Sequence, residues 1–230
     1  MRERDISIPM AAGTPEWPGD TPFSCGWTMT LAAGDSVNLS AMTTSPHVGT
    51  HADAPLHVRD GWAPSHKLPL APFAGRAVVC SIESSLDLIE PAHLSSLPRR
   101  GRIERLLLRT QCSIAQGNFP DRWPVLSLPA LQMLLDRGLV LLGVDAPSVD
   151  ARTSKTLDVH KTLFGGGAFN LENLDLRSIE DGEYELIAYP LLIGGIDAAP
   201  VRAVLRLSSS GSAATEGSPR SRVDPSLRSG

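Results

Sequence analysis

The hydrophobic pattern along the chain consists of short β-type runs separated by brief helical segments. Three continuous apolar runs, at residues 76–82, 103–110 and 139–145, predict strands that are buried on both faces, as in a parallel sheet. Shorter or alternating runs predict further strands at 5–9, 27–32, 36–44, 184–190 and 201–207. The two runs between residues 27 and 44 flank Ala33-Gly34-Asp35, and we therefore expect them to form a hairpin.

Helices are predicted at three places. The segment 127–137 has Pro129 near its start and Gly138 at its stop. The segments 91–97 and 158–164 are shorter, and three glycines, 165–167, end the second. This pattern predicts an α/β domain that is rich in strands.

The last 23 residues differ from the rest of the chain. Residues 208–230 are rich in Ser, Gly and Arg and have no apolar periodicity. Such a segment buries too little apolar surface to offset its ordering entropy. We expect one domain at 1–207, followed by a disordered tail at 208–230.

Composition excludes several classes of protein. The length of 230 residues suits one large domain, and 42% hydrophobic and 20% charged residues are ordinary for a globular protein. The net charge of -4 gives no nucleic-acid footprint. No secretory h-region and no apolar run of membrane-spanning length is present. Cys25, Cys80 and Cys112 lack CxxC spacing and predict reduced thiols in or near the core of a cytoplasmic protein.

The segment from His47 to His57 is the most informative part of the chain. It contains three histidines and Asp53 within eleven residues, and imidazole and carboxylate are the ligands of zinc or manganese hydrolytic sites. A helix would scatter these side chains, whereas even offsets allow a mostly extended path to turn them towards one centre. A polar surface loop is the alternative interpretation. Three histidines around one aspartate favour a metal site.

Two later residues would complete a two-metal site. His160 and Glu172 would supply the additional imidazole and a bridging carboxylate, which neutralises the repulsion between two ions. Each residue alone is equally compatible with a surface or capping role. Spacing by itself leaves both interpretations open.

The segment 47–57 resembles the HxGTHxDxPxH signature of the metal-dependent cyclase family, which includes bacterial kynurenine formamidases (arylformamidases) and isatin hydrolases. The resemblance extends over about residues 5–207. The blocks that point to the formamidase branch are 14–22, 142–150, 154–160, 184–191 and 197–205. It implies the swivelling β/β/α fold of this family and a homodimer.

The resemblance also implies a role for each site residue. The first metal would be held by His47, His51 and Asp53. Asp53 would bridge to a second ion held by His160, and Glu172 would contact both ions. In this scheme His57 is the acid/base residue and Trp17 lines the substrate pocket. The twelve-residue gap between His160 and Glu172 agrees with the formamidase pattern.

The activity implied by the resemblance is hydrolysis of N-formyl-L-kynurenine to L-kynurenine and formate with two divalent ions, zinc or manganese. Hydrolysis of another cyclic or N-acyl aromatic amide, such as isatin, is the alternative. A non-catalytic metal-binding scaffold is a distant third, because His57 is intact. One departure concerns Asn173, where the formamidase branch has Gly, and the segment 164–169 is also unusual. Both departures concern the shape of the substrate pocket.

Overall fold

The computed structural model describes residues 3–98 and 100–207. Two α-helices lie in these residues, α1 at Leu128–Asp136 and α2 at Asp158–Gly165. The strands, in chain order, are β1 Glu3–Asp5, β2 Ser24–Met29, β3 Leu39–Thr43, β4 His51–Asp53, β5 Ala74–Ser81, β6 Leu88–Ile89, β7 Arg105–Arg109, β8 Val125–Leu126, β9 Leu141–Val144, β10 Phe169–Leu171, β11 Gly182–Ile187, β12 Ala198–Pro200 and β13 Val204–Leu207. The prediction for the tail at 208–230 falls outside the described residues.

A seven-stranded mixed sheet organises the fold. Its strand order is β1-β13-β11-β5-β7-β9-β10. Strands β5, β7, β9 and β10 run parallel to their neighbours in this series, whereas β11 runs antiparallel to β5 and to β13. The three continuous apolar runs are therefore adjacent parallel strands, as predicted.

Both faces of this sheet are covered by hydrophobic core. Along β7, Leu106 and Leu108 pack into one cluster with Leu131 and Leu134 of α1, while Leu107 packs into the cluster on the opposite face. Successive side chains of a strand point to opposite faces, so a strand in the middle of two cores reads as a continuous apolar run. The prediction of an α/β fold rich in strands is confirmed.

Several element boundaries differ from the sequence prediction. The first strand was expected at 5–9 but lies at Glu3–Asp5, after which Ser7 forms only an isolated bridge with Leu174. The segment predicted as a helix at 91–97 is a short 3-10 helix, Pro91–Leu94. Strands expected at 184–190 and 201–207 lie at Gly182–Ile187 and Val204–Leu207. In each case the apolar pattern identifies the element, while the neighbouring strands decide its ends.

The predicted hairpin is present, but its strands lie at Ser24–Met29 and Leu39–Thr43, not at 27–32 and 36–44, and a 3-10 helix, Leu31–Ala33, lies in the connection. Strands β2 and β3 pair with each other, and almost all of their residues are exposed on both faces. This corrects one expectation, because Cys25 lies on β2 and is exposed, whereas Cys80 is buried and Cys112 half-buried.

Neither helix in the described residues has the length and apolar character needed to cross a bilayer.

Candidate metal centre

Backbone pairing carries the histidine segment to the end of β10. Strand β4, which contains His51 and Asp53, pairs with β12 on one side. On the other side the N–H of His51 donates to the carbonyl of Glu172 (3.3 Å), and the N–H of Glu172 donates to the carbonyl of His51 (3.0 Å). A metal-ligand candidate from each segment is thereby fixed beside the other by main-chain hydrogen bonds.

The turn before β4 depends on a glycine. Gly49 has φ +70°, and a Cβ atom at this position would lie 2.9 Å from the carbonyl oxygen of Ile8. Thr50, which follows, accepts a hydrogen bond from the N–H of Ile8 (2.8 Å) and donates one to the carbonyl of Asn173 (2.5 Å). These contacts bring His47 back towards His51.

Three donor atoms form the first group. His47 Nδ1 lies 3.1 Å from His51 Nε2 and 3.1 Å from Asp53 Oδ1, and His51 Nε2 lies 3.4 Å from the same oxygen. Around an ion bound at roughly 2.0–2.2 Å, adjacent donor atoms lie about 3–3.5 Å apart. The triangle therefore has the dimensions of one face of a coordination sphere.

A second group lies beside it and shares Asp53. His160 Nε2 is 3.0 Å from Asp53 Oδ2 and 3.2 Å from Glu172 Oε1. The other oxygen of Glu172 is 3.5 Å from His51 Nε2, so this carboxylate reaches both groups. All five residues predicted as ligands are brought together.

Each of the three imidazoles is fixed through its second ring nitrogen. His51 Nδ1 lies 3.0 Å from the carbonyl of Gly49, and His47 Nε2 lies 3.0 Å from Asp197 Oδ2. His160 Nδ1 lies 2.7 Å from Asp150 Oδ2. Metal-binding histidines commonly donate their other N–H to a carbonyl or carboxylate, which fixes the tautomer and the ring orientation.

Asp150 also caps the N-terminus of α2. Leu157, at the N-cap position, has φ +52° and offers no side-chain cap. The carboxylate of Asp150 accepts instead from the backbone N–H groups of Val159 (3.1 Å) and His160 (3.0 Å). It thus satisfies donors that a helix start leaves free, and it orients the imidazole of His160 at the same time.

The ionisable side chains of the site shift one another's pKa values. Burial lowers the pKa of His47, but the nearby carboxylates of Asp197 and Asp53 outweigh this and raise its pKa to about 9. Burial opposes the charged form of His51 too, yet the carboxylates of Asp53 and Glu172 raise its pKa to about 10. Glu172 is fully buried, and its contacts with His160 and His51 hold its pKa down to about 2. The carboxylates are ionised at neutral pH and attract positive charge.

One buried carboxylate oxygen of the site lacks a hydrogen-bond partner. Asp53 Oδ1 makes no hydrogen bond in the described residues, although its residue is fully buried. It faces two imidazole nitrogens at distances that suit shared coordination. A divalent cation would satisfy this oxygen, and the imidazole and carboxylate donors suit such an ion. The residues fit a metal site.

His57 lies at the edge of the same cluster. It ends the 3-10 helix Pro55–His57, and its Nδ1 is 3.0 Å from Asp197 Oδ2, the oxygen that also contacts His47. Donor atoms of His47, Asp53 and His57 fall within 4.8 Å of one another. The structure places His57 beside the metal donors and orients its ring by a carboxylate.

A cavity of about 470 Å³ opens over the metal donors. Trp17 lines it and packs edge-on against Phe119, with ring centroids 5.4 Å apart. Asn173 lines it as well and has φ +56°. Asn tolerates this left-handed conformation better than most side chains. The same backbone conformation accounts for the Gly expected at this position.

Sequence reasoning assigned no role to three side chains that complete the site: Asp150, Asn170 and Asp197. Asp150 and Asp197 stand in the blocks that carried the family resemblance, but spacing does not tell which side chain will reach which imidazole. Asn170 had one available signal, because it precedes Glu172 by two residues and so shares its face of the strand.

Comparison with known proteins agrees with this geometry. A family model described as "Putative cyclase" matches residues 4–151. The chain belongs to the cyclase family. It is 42% identical over 202 residues to a kynurenine formamidase of Bordetella pertussis, which covers 88% of this chain and 96% of that protein. A kynurenine formamidase of Bordetella petrii is 42% identical over 205 residues, with the same coverage.

Solved structures share the fold. One described as a potential metal-dependent hydrolase with cyclase activity has a TM-score of 0.75 and 27% identity, and covers 89% of this chain and 96% of its own. Isatin hydrolase A from Labrenzia aggregata has a TM-score of 0.75 at 22% identity, covering 90% and 93%. The chain is therefore a hydrolase with the cyclase-family fold.

Proposed function

We propose that this protein is a metal-dependent formamidase that hydrolyses N-formyl-L-kynurenine to L-kynurenine and formate. The observation that carries the proposal is the position of His57. Its imidazole is oriented by Asp197, lies beside the candidate metal donors and lines the cavity that contains Trp17 and Phe119. The 42% identity to kynurenine formamidases over nearly the whole chain supports this choice of substrate.

Two divalent ions, zinc or manganese, would be held by His47, His51, Asp53, His160 and Glu172. When bound, such ions supply hydroxide at neutral pH and polarise a carbonyl oxygen. Asp53 and Glu172 each face both groups of donors, so their negative charges would reduce the repulsion between the two ions. The orienting contacts behind the three imidazoles keep the donor nitrogens turned towards the site.

The cavity provides for the rest of the substrate. Trp17 offers a flat apolar surface for the aryl ring, and Phe119 supports it edge-on. Leu157 and Pro147 add apolar lining on the same cavity. A cavity of about 470 Å³ suits one small aromatic amide.

His57 would handle the proton of the leaving group. The amide bond breaks with an aniline nitrogen as leaving group, and the anilide anion is too basic to depart unaided. His57 takes a proton from the attacking water and donates it to this nitrogen, while the Nδ1 contact with Asp197 keeps the ring oriented. Water supplies the oxygen of formate, and L-kynurenine leaves as the neutral amine.

The test compares substrates on metal-loaded protein. N-formylkynurenine, N-formylanthranilate and isatin are assayed side by side, and kcat/KM is measured for each. We expect the highest kcat/KM for N-formylkynurenine. A higher value for isatin would contradict the formamidase assignment and favour the ring-opening alternative. Loss of all activity on metal removal, with recovery on adding metal back, is expected for any of the three.

Three further properties belong to this proposal. We propose that the protein is a homodimer, because the exposed hairpin β2–β3 is an apolar surface that a second copy of the chain would cover.

We propose that residues 1–207 form the hydrolase domain and that catalysis does not need 208–230. We also propose that the enzyme works in the cytoplasm, since the three cysteines are unpaired.

A further inference from the structure

Asn170 lies inside the second group of metal donors. It is fully buried on β10, and its Nδ2 donates to Asp53 Oδ2 (2.6 Å) and to Glu172 Oε1 (3.1 Å). The same nitrogen is 3.4 Å from His160 Nε2. Asn170 Nδ2 is therefore next to all three donor atoms of this group.

The other end of this amide has no partner. Asn170 Oδ1 is buried and makes no hydrogen bond in the described residues. A buried polar atom left in this way is unfavourable, because it has given up its hydrogen bond to water and gained no other. Rotation about the last side-chain bond exchanges the oxygen and the nitrogen of an amide, so Oδ1 can take the place that Nδ2 now occupies.

The two orientations suit different states of the site. With no cation, the N–H donors belong beside the carboxylate oxygens of Asp53 and Glu172, and an amide oxygen there would be repelled. With a divalent cation bound among these atoms, the carboxylates have their positive partner, and an amide oxygen becomes a favourable additional donor.

We propose that the side-chain oxygen of Asn170 is a ligand of the second metal ion, beside Asp53, Glu172 and His160. This inference rests on the two-ion site of the proposed function. The distances of 3.1 and 3.4 Å from the amide position to Glu172 Oε1 and His160 Nε2 match the spacing of donors that share one ion, and the 2.6 Å contact with Asp53 Oδ2 would lengthen towards that spacing on coordination.

The added ligand has a chemical consequence. An amide oxygen is a hard, neutral donor of the kind that manganese and magnesium accept, and it raises the coordination number above what zinc usually takes. Asn170 should therefore increase the affinity of the second position for Mn²⁺ more than its affinity for Zn²⁺.

Two variants separate a ligand from a mere hydrogen-bond donor. Asn170→Leu has nearly the same size and removes the amide, whereas Asn170→Asp keeps an oxygen and removes the donor. Each protein is loaded with Co²⁺, whose visible absorption is stronger at low coordination number, and is titrated with Mn²⁺ and Zn²⁺. Asn173→Gly is the control, because Asn173 keeps a backbone angle that Gly accepts and its side-chain oxygen contacts no donor.

We expect Asn170→Leu to bind the first ion normally, to absorb more strongly with the second Co²⁺, and to lose at least tenfold more affinity for Mn²⁺ than for Zn²⁺. Asn170→Asp should keep the wild-type cobalt intensity, as should Asn173→Gly. If Asn170→Leu does not fold, the shorter Asn170→Ala provides the same comparison.

An unchanged cobalt spectrum together with equal losses for Mn²⁺ and Zn²⁺ would overturn the proposal and leave Asn170 as a donor to the carboxylates. Fewer than two ions in the wild-type protein would overturn both this inference and the two-ion site. Two bound ions with the expected spectra but no hydrolysis of N-formylkynurenine would refute only the proposed substrate.

Discussion

His57 has a geometry that two roles could use. Its Nδ1 faces Asp197, as expected for an oriented acid/base group, yet its ring is also close enough to His47 and Asp53 to be counted among metal donors. The five other site residues meet each other at donor-to-donor distances of 3.0–3.5 Å without it. These five residues form both groups of candidate metal donors without His57, so we assign His57 the acid/base role.

The substitution His57→Ala distinguishes these roles. We expect bound metal to be retained and kcat to fall by roughly 10²–10⁴-fold, the range typical of general acid–base groups. The loss should shrink for formanilides with electron-poor rings, whose anilines leave more easily. Rates are measured across such a series, with metal content determined by elemental analysis.

His66→Ala is the matched control, since His66 accepts a hydrogen bond from the N–H of Gly195 and does not line the cavity. It should leave both readouts unchanged. Loss of metal in His57→Ala, with equal loss for every leaving group, would make His57 a ligand.

The raised pKa values of His47 and His51 predict proton release on metal binding. Because the pKa values of His47 and His51 are raised to about 9 and 10, this pair of rings retains protons at pH 7.5 in the metal-free protein, and a coordinating nitrogen must be unprotonated. Metal affinity should therefore fall as the pH is lowered from 9 to 7.

Calorimetric titration of metal-free protein at pH 7.5, in two buffers with different ionisation enthalpies, measures the protons released. We expect at least two protons per protein chain. An apparent enthalpy that is the same in both buffers would mean that these rings are neutral before metal binds.

At the scale of elements, the histidine segment was predictable and its supports were not. The spacing from His47 to Asp53 predicts a common centre because side chains alternate along an extended path. That prediction depends on local chain geometry. The contact of Asp197 with His47 joins residues 150 positions apart, and it exists only because β12 pairs with β4. Long-range partners of this kind follow from tertiary packing.

The turn that brings His47 towards His51 requires Gly49. In Gly49→Ala the new methyl group would meet the carbonyl of Ile8 at 2.9 Å, in a backbone conformation with φ +70°. We expect a loss of about 1–3 kcal/mol in the free energy of unfolding, together with lower metal content, because His47 moves away from His51. Thermal unfolding and elemental analysis provide the measurements.

Gly165→Ala is the control for that experiment. Gly165 ends α2, and an added Cβ meets no atom within 4 Å. Stability should stay at the wild-type level or rise slightly, and metal content should be unchanged. Equal behaviour of the two variants would show that the turn before β4 accepts a side chain.

At the scale of the whole molecule, the hydrophobic pattern predicted the central strands of the sheet, because a strand that is buried on both faces is apolar at successive positions. Leu106, Leu107 and Leu108 are apolar at three successive positions because β7 has core on both faces. Strand order is different. The apolar runs predict that β5, β7 and β9 are neighbouring parallel strands. The position of β13 between β1 and β11 depends on long-range pairings, which the local sequence pattern does not indicate.

The hairpin β2–β3 carries apolar side chains that are exposed to solvent. Trp27 and Met42 are each 67% exposed and Leu39 is 51% exposed, while residues 24–43 contain one charged side chain, Asp35. A two-stranded hairpin is only marginally stable by itself in water, and exposed apolar patches of this kind mark interfaces. A second copy of the chain would bury it.

Trp27→Asp should therefore shift the protein from dimer to monomer in sedimentation velocity and lower its thermal midpoint, since the hairpin would lose its cover. Leu88→Asp removes an apolar side chain that is 44% exposed on β6, away from the hairpin, and should leave the dimer intact. Sedimentation of the unsubstituted protein as a monomer would refute the dimer. A dimer that survives Trp27→Asp unchanged would instead place the interface on another surface, and the hairpin would then need a different partner.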